Sequence, residues 1–587
     1  MDNYKTIEAD VLVVGGGGAG ARAAIEADKK GVRVVLADKG PIGMSGVTGQ
    51  AGSNLALGQR VGREYSPEAN EKRFIECVQG GYYLGDQNLA WLWISEEVDR
   101  KKEITSWGSP IHPSADGRDY TATGQWTMNA LKREVERHPN IYLLEYGVVT
   151  KLLTHERKIT GATVFDLKSG DLILVKTKAV VMATGGLGQV YYPSECLQLG
   201  MMCGDTGDGH VLAYHAGAEI TDMEFFHFST NGHRPRWMEH TRHVMAAFAP
   251  GKIRRGGYRI GANGRGPYYD EDGNVLITTK EVTSVPFRCL PRTGGGYNPY
   301  VGLTLWQEMR KGKTLYINIA ERKDESTPMP ADKVLGVNEE NMDEWGLDKV
   351  EICFGPLTTS GGLWVNERCE ATVPGLYAAG EAMGNLYGTF RGAGYEEVLI
   401  FGKIAGEYAA KYAEQAEQGP IDVGAVEEEQ ERINGFLEPK GNGISPVEVR
   451  KKIWELTGKY LKLERDEKIL KRALTEIEEI RKKDLPRVQA ANIRRMNVEW
   501  LAAIELPFML ESAEMVARAA LFRTESRGHH DRRDFPEHDN ANWLYHTLIK
   551  REDDRMTFSK KSIIMTRIKP PTNMKKWEVA GDAVPVR

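Results

Sequence analysis

The segment that most constrains the fold of this chain lies close to its start. An apolar run, Ala9–Val14, leads into Gly15-Gly16-Gly17-Gly18-Ala19-Gly20, then a helical run, Ala21–Lys30, and a second apolar run, Val32–Ala37, that ends at Asp38. Strand, glycine turn, helix and strand in this order open a parallel α/β sheet of the dinucleotide-binding kind. Gly15 permits a tight turn, Gly17 lets backbone approach a pyrophosphate, and Gly20 lets helix pack closely on strand. Gly18 and Ala19 complete the turn, so phosphate sits at the helix N-terminus, while Asp38, followed by Lys39, is placed to accept hydrogen bonds from a ribose.

Three further segments decide which dinucleotide is bound. Met44-Ser45-Gly46 through Gln50-Ala51-Gly52 is a second loop of small residues just after Asp38, suited to close approach by a large planar ring. Ala183-Thr184-Gly185-Gly186 ends the strand-like run Val175–Met182, and Tyr377-Ala378-Ala379-Gly380-Glu381 ends another far downstream. Several strand ends converging on one elongated ligand suit FAD better than a nicotinamide cofactor.

At 587 residues the chain exceeds a single core, so two or three domains are expected. With 27% charged residues and a net charge of −5, it lacks the basic excess of a nucleic-acid-binding protein. The N-terminal residues resemble no secretory signal and no long apolar run occurs, which predicts a cytoplasmic protein with no direct membrane insertion. Its 6 cysteines form no C-x-x-C pair, arguing against zinc, an iron–sulfur cluster or a disulfide framework within this chain, and no metal site is expected.

From His227 to about Asn318 the sequence becomes rich in glycine, proline, arginine and aromatics, as an inserted domain would be. Val398–Tyr412 reads as an apolar helix with small residues at helical spacing. From about Glu427 the chain is helical and charged, through Val447–Lys483 with a stop near Pro486, and a second helical segment is predicted from about Val488 to Arg523.

The motifs occur in a telling order. The glycine turn, Ala183–Gly186, Thr206-Gly207-Asp208-Gly209, Met223-Glu224-Phe225, Gly380-Glu381, and finally Arg523-Thr524-Glu525-Ser526-Arg527-Gly528-His529-His530 with Arg532, Asp534, Pro536 and Trp543 follow one another as in the flavoprotein subunits of succinate dehydrogenase and fumarate reductase. The chain resembles that family over nearly its whole length. The resemblance implies an α/β fold in which a Rossmann-like FAD-binding domain (residues 1–226 and 351–415) is interrupted by an α+β capping domain (227–350) and followed by a C-terminal helical domain and tail (416–587). It also implies that Asp208 and Glu381 meet polar groups of FAD and that Gln50 and Gly52 line the flavin.

The resemblance fails at the reaction chemistry. Ser45 or its neighbours fall where many members carry the histidine that links covalently to FAD, so the cofactor is expected to be noncovalent. After Met-Glu-Phe the family reads Gln-Phe-His-Pro-Thr; here it is His227-Phe228-Ser229-Thr230-Asn231, with Ser229 at the substrate histidine. Leu357 falls at a second substrate histidine, Asn298 near the proton-donating arginine, and Tyr387 at a third histidine, while Arg391 keeps the carboxylate-binding position. Reduction of an unactivated dicarboxylate alkene needs cationic donors on both carboxylates and a proton donor opposite the hydride. Ordinary fumarate or succinate turnover is therefore not expected.

Candidate catalytic residues are Arg391 for a substrate anion, Arg288 or Arg292 as proton donor, and His227 and Tyr387. A cluster from His233 to His243, with Arg254 and Arg255 beyond it, reads either as an anion site or as a solvated basic loop. The expected activity is transfer of hydride or electrons between a small anionic or thioester-type substrate and a separate ferredoxin-like iron–sulfur subunit, within a hetero-oligomer. Two rivals stand beside it: an electron-transfer subunit with a degenerate substrate pocket, and a flavoprotein like the α subunit of adenylylsulfate reductase.

Overall fold

The computed structural model describes residues 4–49, 67–113, 119–121, 124–191, 204–232, 267–277, 299–317, 350–389, 395–571 and 584–585. At its centre is a five-stranded sheet built from β1 (Val11–Val14), β2 (Val34–Asp38), β3 (Ile141–Glu145), β4 (Ala179–Met182) and β5 (Leu376–Ala378), in the order β5-β4-β1-β2-β3. Every pairing in it is parallel. Strands of a parallel sheet are covered on both faces, which is why β1 and β4 read as unbroken apolar runs whose residues are all buried.

Helix α1 (Gly18–Asp28) starts three residues before the expected run, because the glycine turn itself supplies its first turn. It crosses the later helix α3 (Tyr395–Gln415) at backbone contact. A Cβ on Gly402 would overlap the carbonyl oxygen of Ala19, and one on Gly406 that of Ala23. Small residues four apart on facing helices therefore set the crossing, which the spacing in Val398–Tyr412 anticipated. Between these two in sequence, α2 (Gln87–Ser106) is capped by Asp86, whose carboxylate accepts from the amides of Asn88 at 2.8 Å and Leu89 at 3.3 Å.

The run read as one strand, Val175–Met182, divides between two sheets. Asp171–Lys176 pairs with Lys158–Asp166 and Lys5–Glu8 in a four-stranded sheet, and β4 belongs to the parallel sheet. Thr177 makes the crossing, its hydroxyl donating to the carbonyls of Asp10 at 3.1 Å and Ala179 at 3.0 Å.

Beyond the parallel sheet, Phe226–Gly232 pairs antiparallel with Val350–Thr359 in a second five-stranded sheet that also holds Leu315–Ile317, Tyr268–Asp270 and Val275–Ile277. The C-terminal region carries α4 (Pro446–Tyr460), Glu467–Glu479 and α5 (Val498–Phe522). Helix α5 begins ten residues later than the expected start at Val488, where Asn497 caps it by accepting from Glu499 and Trp500 amides. After α5 the chain turns to strand: the hairpin Tyr545–Glu552 and Arg555–Ser562 adds to Ile220–Thr221 and so returns the chain to the first domain. No helix among the described residues is long and apolar enough to cross a membrane.

That return is fixed by a buried ionic network. Arg523 Nε lies 2.5 Å from Glu224 and Nη1 2.9 Å from Glu525, with further donation to the carbonyls of Trp543 and Tyr545. Arg527 grips both oxygens of Glu525 at 2.8 Å, and Asp222 pairs with His546 at 2.5 Å. Arg465 donates to the Glu224 carbonyl at 2.7 Å. Each of these ions meets an opposite charge or an aligned carbonyl, the condition under which buried charge is tolerated. The C-terminal motif thus joins the Met223-Glu224-Phe225 segment to α5 and the hairpin.

Candidate cofactor site

The C-terminal ends of β1, β2, β4 and β5 open onto one cleft, which encloses about 1170 Å³ of atom-free space, part of it open to solvent. Its walls come from seven places in the sequence: Gly15–Ala19 after β1, Asp38 and Lys39 after β2 with the following Ser45–Thr48, Gly147 and Val149, Ala183–Gly185 after β4, Gly204, Asp205 and Asp208, Thr358, and Gly380-Glu381 after β5 with Glu397 and Val398 of α3. Ligands of open α/β sheets bind at such carboxyl ends.

The glycines divide by role. Gly15 has φ +103°, and a Cβ there would overlap the carbonyl oxygen of Ala183; at Gly20 a Cβ would overlap that of Gly15. Both are required by the fold itself. At Gly17 the nearest atom to an added Cβ is Thr48 Oγ1, 3.9 Å away, so the space is left for something outside the chain. Gly17 is also the N-cap of α1 and offers its amides no side chain, while Gly18 N–H donates to Thr48 Oγ1 at 3.2 Å. An uncapped helix start beside an empty wall suits a phosphate.

Asp38 packs over Gly16, accepts from the Ser45 hydroxyl, and is pushed up to about 6 by burial, which its hydrogen bonds offset only in part. Lys39 lines the cleft, yet its ammonium is committed to protein: to Asp208 at 2.9 Å, Glu505 of α5 at 2.8 Å, Thr206 Oγ1 at 2.7 Å and the Gly204 carbonyl at 3.2 Å. Those carboxylates hold the lysine above its usual range against the opposing effect of burial. Glu505 is bound in turn by Arg450 of α4 at 2.7 Å, so the helical region reaches the cleft wall through a chain of charges. Glu381 accepts from the Thr359 amide at 2.7 Å. The hydroxyls of Thr184 and Thr358 are buried in the wall and meet no partner among the described residues. Unsatisfied donors and acceptors around an uncapped helix start are what a cofactor with phosphates, hydroxyls and a polar ring would complete, so the residues present fit FAD.

Of the expected cofactor residues, Gly15, Gly17, Gly18, Ala19, Asp38, Lys39, Ser45, Gly46, Ala183, Thr184, Gly185, Asp208, Gly380 and Glu381 come together in this one cleft, with Gly20 packed just behind it. Gln50 and Gly52 lie outside the described residues, as do Arg288, Arg292, Arg391, Asn298 and the basic cluster from His233 to Arg255. His227 and Tyr387 do not line the cleft. His227 is buried with its ring 4.5 Å from that of His529, one pairing away from the wall because it registers with Thr358. Tyr387 is buried edge-on against Trp93 at 5.5 Å. His529 is pushed down to about 3 by burial and by Arg465, so this partner of His227 is a neutral imidazole.

Sequence reasoning missed Asp205, Thr48, Thr358 and Glu397. Asp205 stands directly before the Thr-Gly-Asp-Gly motif and could have been read with it. Thr48 lies within the small-residue loop after Asp38 but was not singled out there, and Thr358 and Glu397 are delivered by tertiary folding from segments with no motif. Cys77 and Cys369 are buried free thiols, the latter pushed up by burial, in keeping with inert core residues. No cluster able to hold a metal occurs among the described residues.

Comparison with known proteins agrees with this geometry. The FAD binding domain family matches residues 10–396, and the fumarate reductase flavoprotein C-terminal family matches residues 450–576. An uncharacterized FAD-dependent oxidoreductase of Methanocaldococcus jannaschii is 28% identical over 94% of this chain and 98% of its own length. A subunit of the fumarate reductase (CoM/CoB) of Methanothermobacter marburgensis is also 28% identical, over 93% and 97%. Among solved structures, an E. coli quinol fumarate reductase chain superposes with a TM-score of 0.79 at 23% identity over 97% of this chain and 99% of that one. Archaeoglobus fulgidus adenylylsulfate reductase gives 0.76 at 21% over 96% and 97%, a likeness of fold. The chain is an FAD-dependent oxidoreductase and belongs to the succinate dehydrogenase/fumarate reductase flavoprotein family.

Proposed function

We propose that this chain is the flavoprotein subunit of a cytoplasmic redox complex, holding FAD noncovalently and moving an electron pair between a small anionic substrate and a ferredoxin-like iron–sulfur subunit. The observation that carries the reading is the one cleft made by seven separated segments, with an uncapped helix start at one side and unsatisfied threonine hydroxyls on its wall.

In this reading Gly17, Gly18 and Ala19 receive the pyrophosphate, Asp38 accepts from a ribose, and Thr184, Asp208, Gly380 and Glu381 orient the remaining polar groups. FAD, when bound, supplies the two-electron chemistry. Ser45, hydrogen-bonded to Asp38, offers no imidazole for a covalent link. The absence of any C-x-x-C pair in the sequence is why electrons are assigned an external carrier. Substrate binding falls to Arg391, with Arg288 or Arg292 as proton donor.

The placements of His227 and Tyr387 favour a second reading, an electron-transfer subunit whose substrate pocket is degenerate, because both side chains are packed into the interior away from the cleft. Reduced protein mixed with enoates, enoyl thioesters and disulfide compounds separates the two. Fast, saturable reoxidation of the flavin by one member supports the enzyme; reoxidation by none of them, alongside fast exchange with a ferredoxin, supports the carrier. Failure of sulfite plus AMP to reduce the flavin removes the adenylylsulfate-reductase-like alternative.

A further inference from the structure

The cleft contains an acid that the cofactor reading leaves unused. Asp205 is 4% exposed and lines the wall, its carboxyl pressed against Gly185 at the end of β4. Its backbone carbonyl accepts from the Gln189 amide at 2.9 Å, but among the described residues no N–H or O–H reaches its side-chain oxygens. The nearby ammonium of Lys39 spends its donors on Asp208, Glu505, Thr206 and Gly204. The other described groups facing Asp205 are carboxylates: Glu381 from the turn after β5, and Asp208 from the start of the helix Asp208–His215.

A buried carboxylate without a donor, set beside two further carboxylates, is costly as an anion and far less so as a neutral acid. Burial and the Glu381 charge, with Lys39 opposing, hold it well above the ordinary carboxylate range. The incoming cofactor adds a doubly charged pyrophosphate to the same cleft, which raises the cost of an anion again. A neutral carboxyl carries one O–H to donate, and Asp205 borders the cleft.

We propose that Asp205 is protonated in the FAD complex and donates its O–H to an acceptor on the cofactor, so that at alkaline pH, where the acid of the cofactor-free cleft has lost its proton, FAD binding takes up one proton per chain from solvent. The inference rests on the cleft being the FAD site. Affinity for FAD then falls as the pH rises, because at alkaline pH the proton must be supplied to the acid of the empty cleft at the moment of binding. Asp38 does not confuse the effect: it lies on the wall formed by Gly16 and Ser45 and titrates near 6, below the range that matters here.

The test is FAD titration of apoprotein between about pH 6.5 and 9.5, by quenching of tryptophan fluorescence, for the wild type and Asp205→Asn. Calorimetry in two buffers of different ionisation heat counts the protons. At the alkaline end the wild type is expected to bind with uptake approaching one proton and a Kd that rises toward about tenfold per pH unit. The carboxamide of the Asp205→Asn variant has no proton to gain and still offers a donor, so the variant should take up none, show a flat Kd, and match the wild type at pH 6.5 within about threefold. The idea is overturned if Asp205→Asn keeps the slope, or if the folded variant binds FAD more than about thirtyfold weaker at pH 6.5, which would mean that the anion is required. Should the variant not fold, the wild-type proton count at the alkaline end decides alone, and zero or net release there overturns it. Wild-type apoprotein that binds no FAD at any pH overturns the cofactor site itself, a result distinct from binding without proton uptake.

Discussion

Two buried polar clusters in this molecule handle charge in opposite ways. In the C-terminal motif, Arg523 and Arg527 meet Glu224 and Glu525 directly, and spare donors reach backbone carbonyls. In the cofactor cleft, Lys39 pairs with Asp208 and Glu505 and is the nearby cation for Asp38 and Asp205, while Asp205 has no donor and Thr184 and Thr358 have no partner among the described residues. The first cluster sets every guanidinium against a carboxylate or carbonyl and acts as architecture, fastening the hairpin and α5 to the FAD domain. The second is incomplete as the chain stands, and what it lacks is what the cofactor brings. Matched opposite charges identify a buried network as structural; a concentrated deficit at the ends of parallel strands identifies a site.

Breaking the first cluster should cost most. Arg523→Met leaves Glu224 buried without its closest cation, and urea unfolding is expected to register a loss of about 3–5 kcal/mol. A loss below about 1 kcal/mol would show that the network is not the fastening described. Lys39→Met removes the cation of the second cluster and strands Asp208, since Glu505 retains Arg450. The expected loss is about 3 kcal/mol in apoprotein, together with weaker FAD binding in a fluorescence titration.

Gly17→Ala sharpens the contrast, because it should leave the apoprotein alone. The added Cβ has room in the empty cleft, so apoprotein stability should stay within about 0.5 kcal/mol of wild type. It occupies the space assigned to phosphate, so Kd for FAD should rise about a hundredfold, or about 2.7 kcal/mol. Unchanged affinity would move the pyrophosphate elsewhere.

The smallest effect concerns Asp38. Its carboxyl is raised from the ordinary 3.8 to about 6 in the folded protein, so the folded state holds a proton that the unfolded state has already lost. Stability from this group is present below about pH 4 and is lost as the pH rises through 6, by on the order of 2 kcal/mol. Asp86, also raised to about 6 by burial, adds a slope of the same sign. Asp38→Asn should therefore flatten the decline between pH 4 and 6 in part; an unaltered slope would assign it to Asp86 and the other raised carboxyls.

The two clusters also differ in how far they could be read beforehand. The strand–glycine–helix unit, Asp38 and the strand ends at Thr184 and Glu381 are local patterns, and local patterns survive in one dimension. The Arg523–His530 motif could be recognised, yet its partner Glu224 is about three hundred residues away and only folding brings them together. Glu505, which holds Lys39, sits mid-helix without any motif and was invisible for the same reason. The division of Val175–Met182 between two sheets at Thr177 was hidden because buried strands of either sheet have the same apolar composition. His227 and Tyr387 were chosen by position in a motif; their packing against His529 and Trp93 depends on segments hundreds of residues away.

The most direct test of the cofactor cleft is the flavin itself. Holoprotein precipitated with acid should release one FAD per chain into the supernatant, leaving a colourless pellet, as a cleft that grips its cofactor by phosphate, hydroxyl and carboxyl contacts requires. Flavin retained in the pellet would contradict noncovalent attachment, and protein that carries no flavin and binds none on titration would contradict the assignment of the cleft.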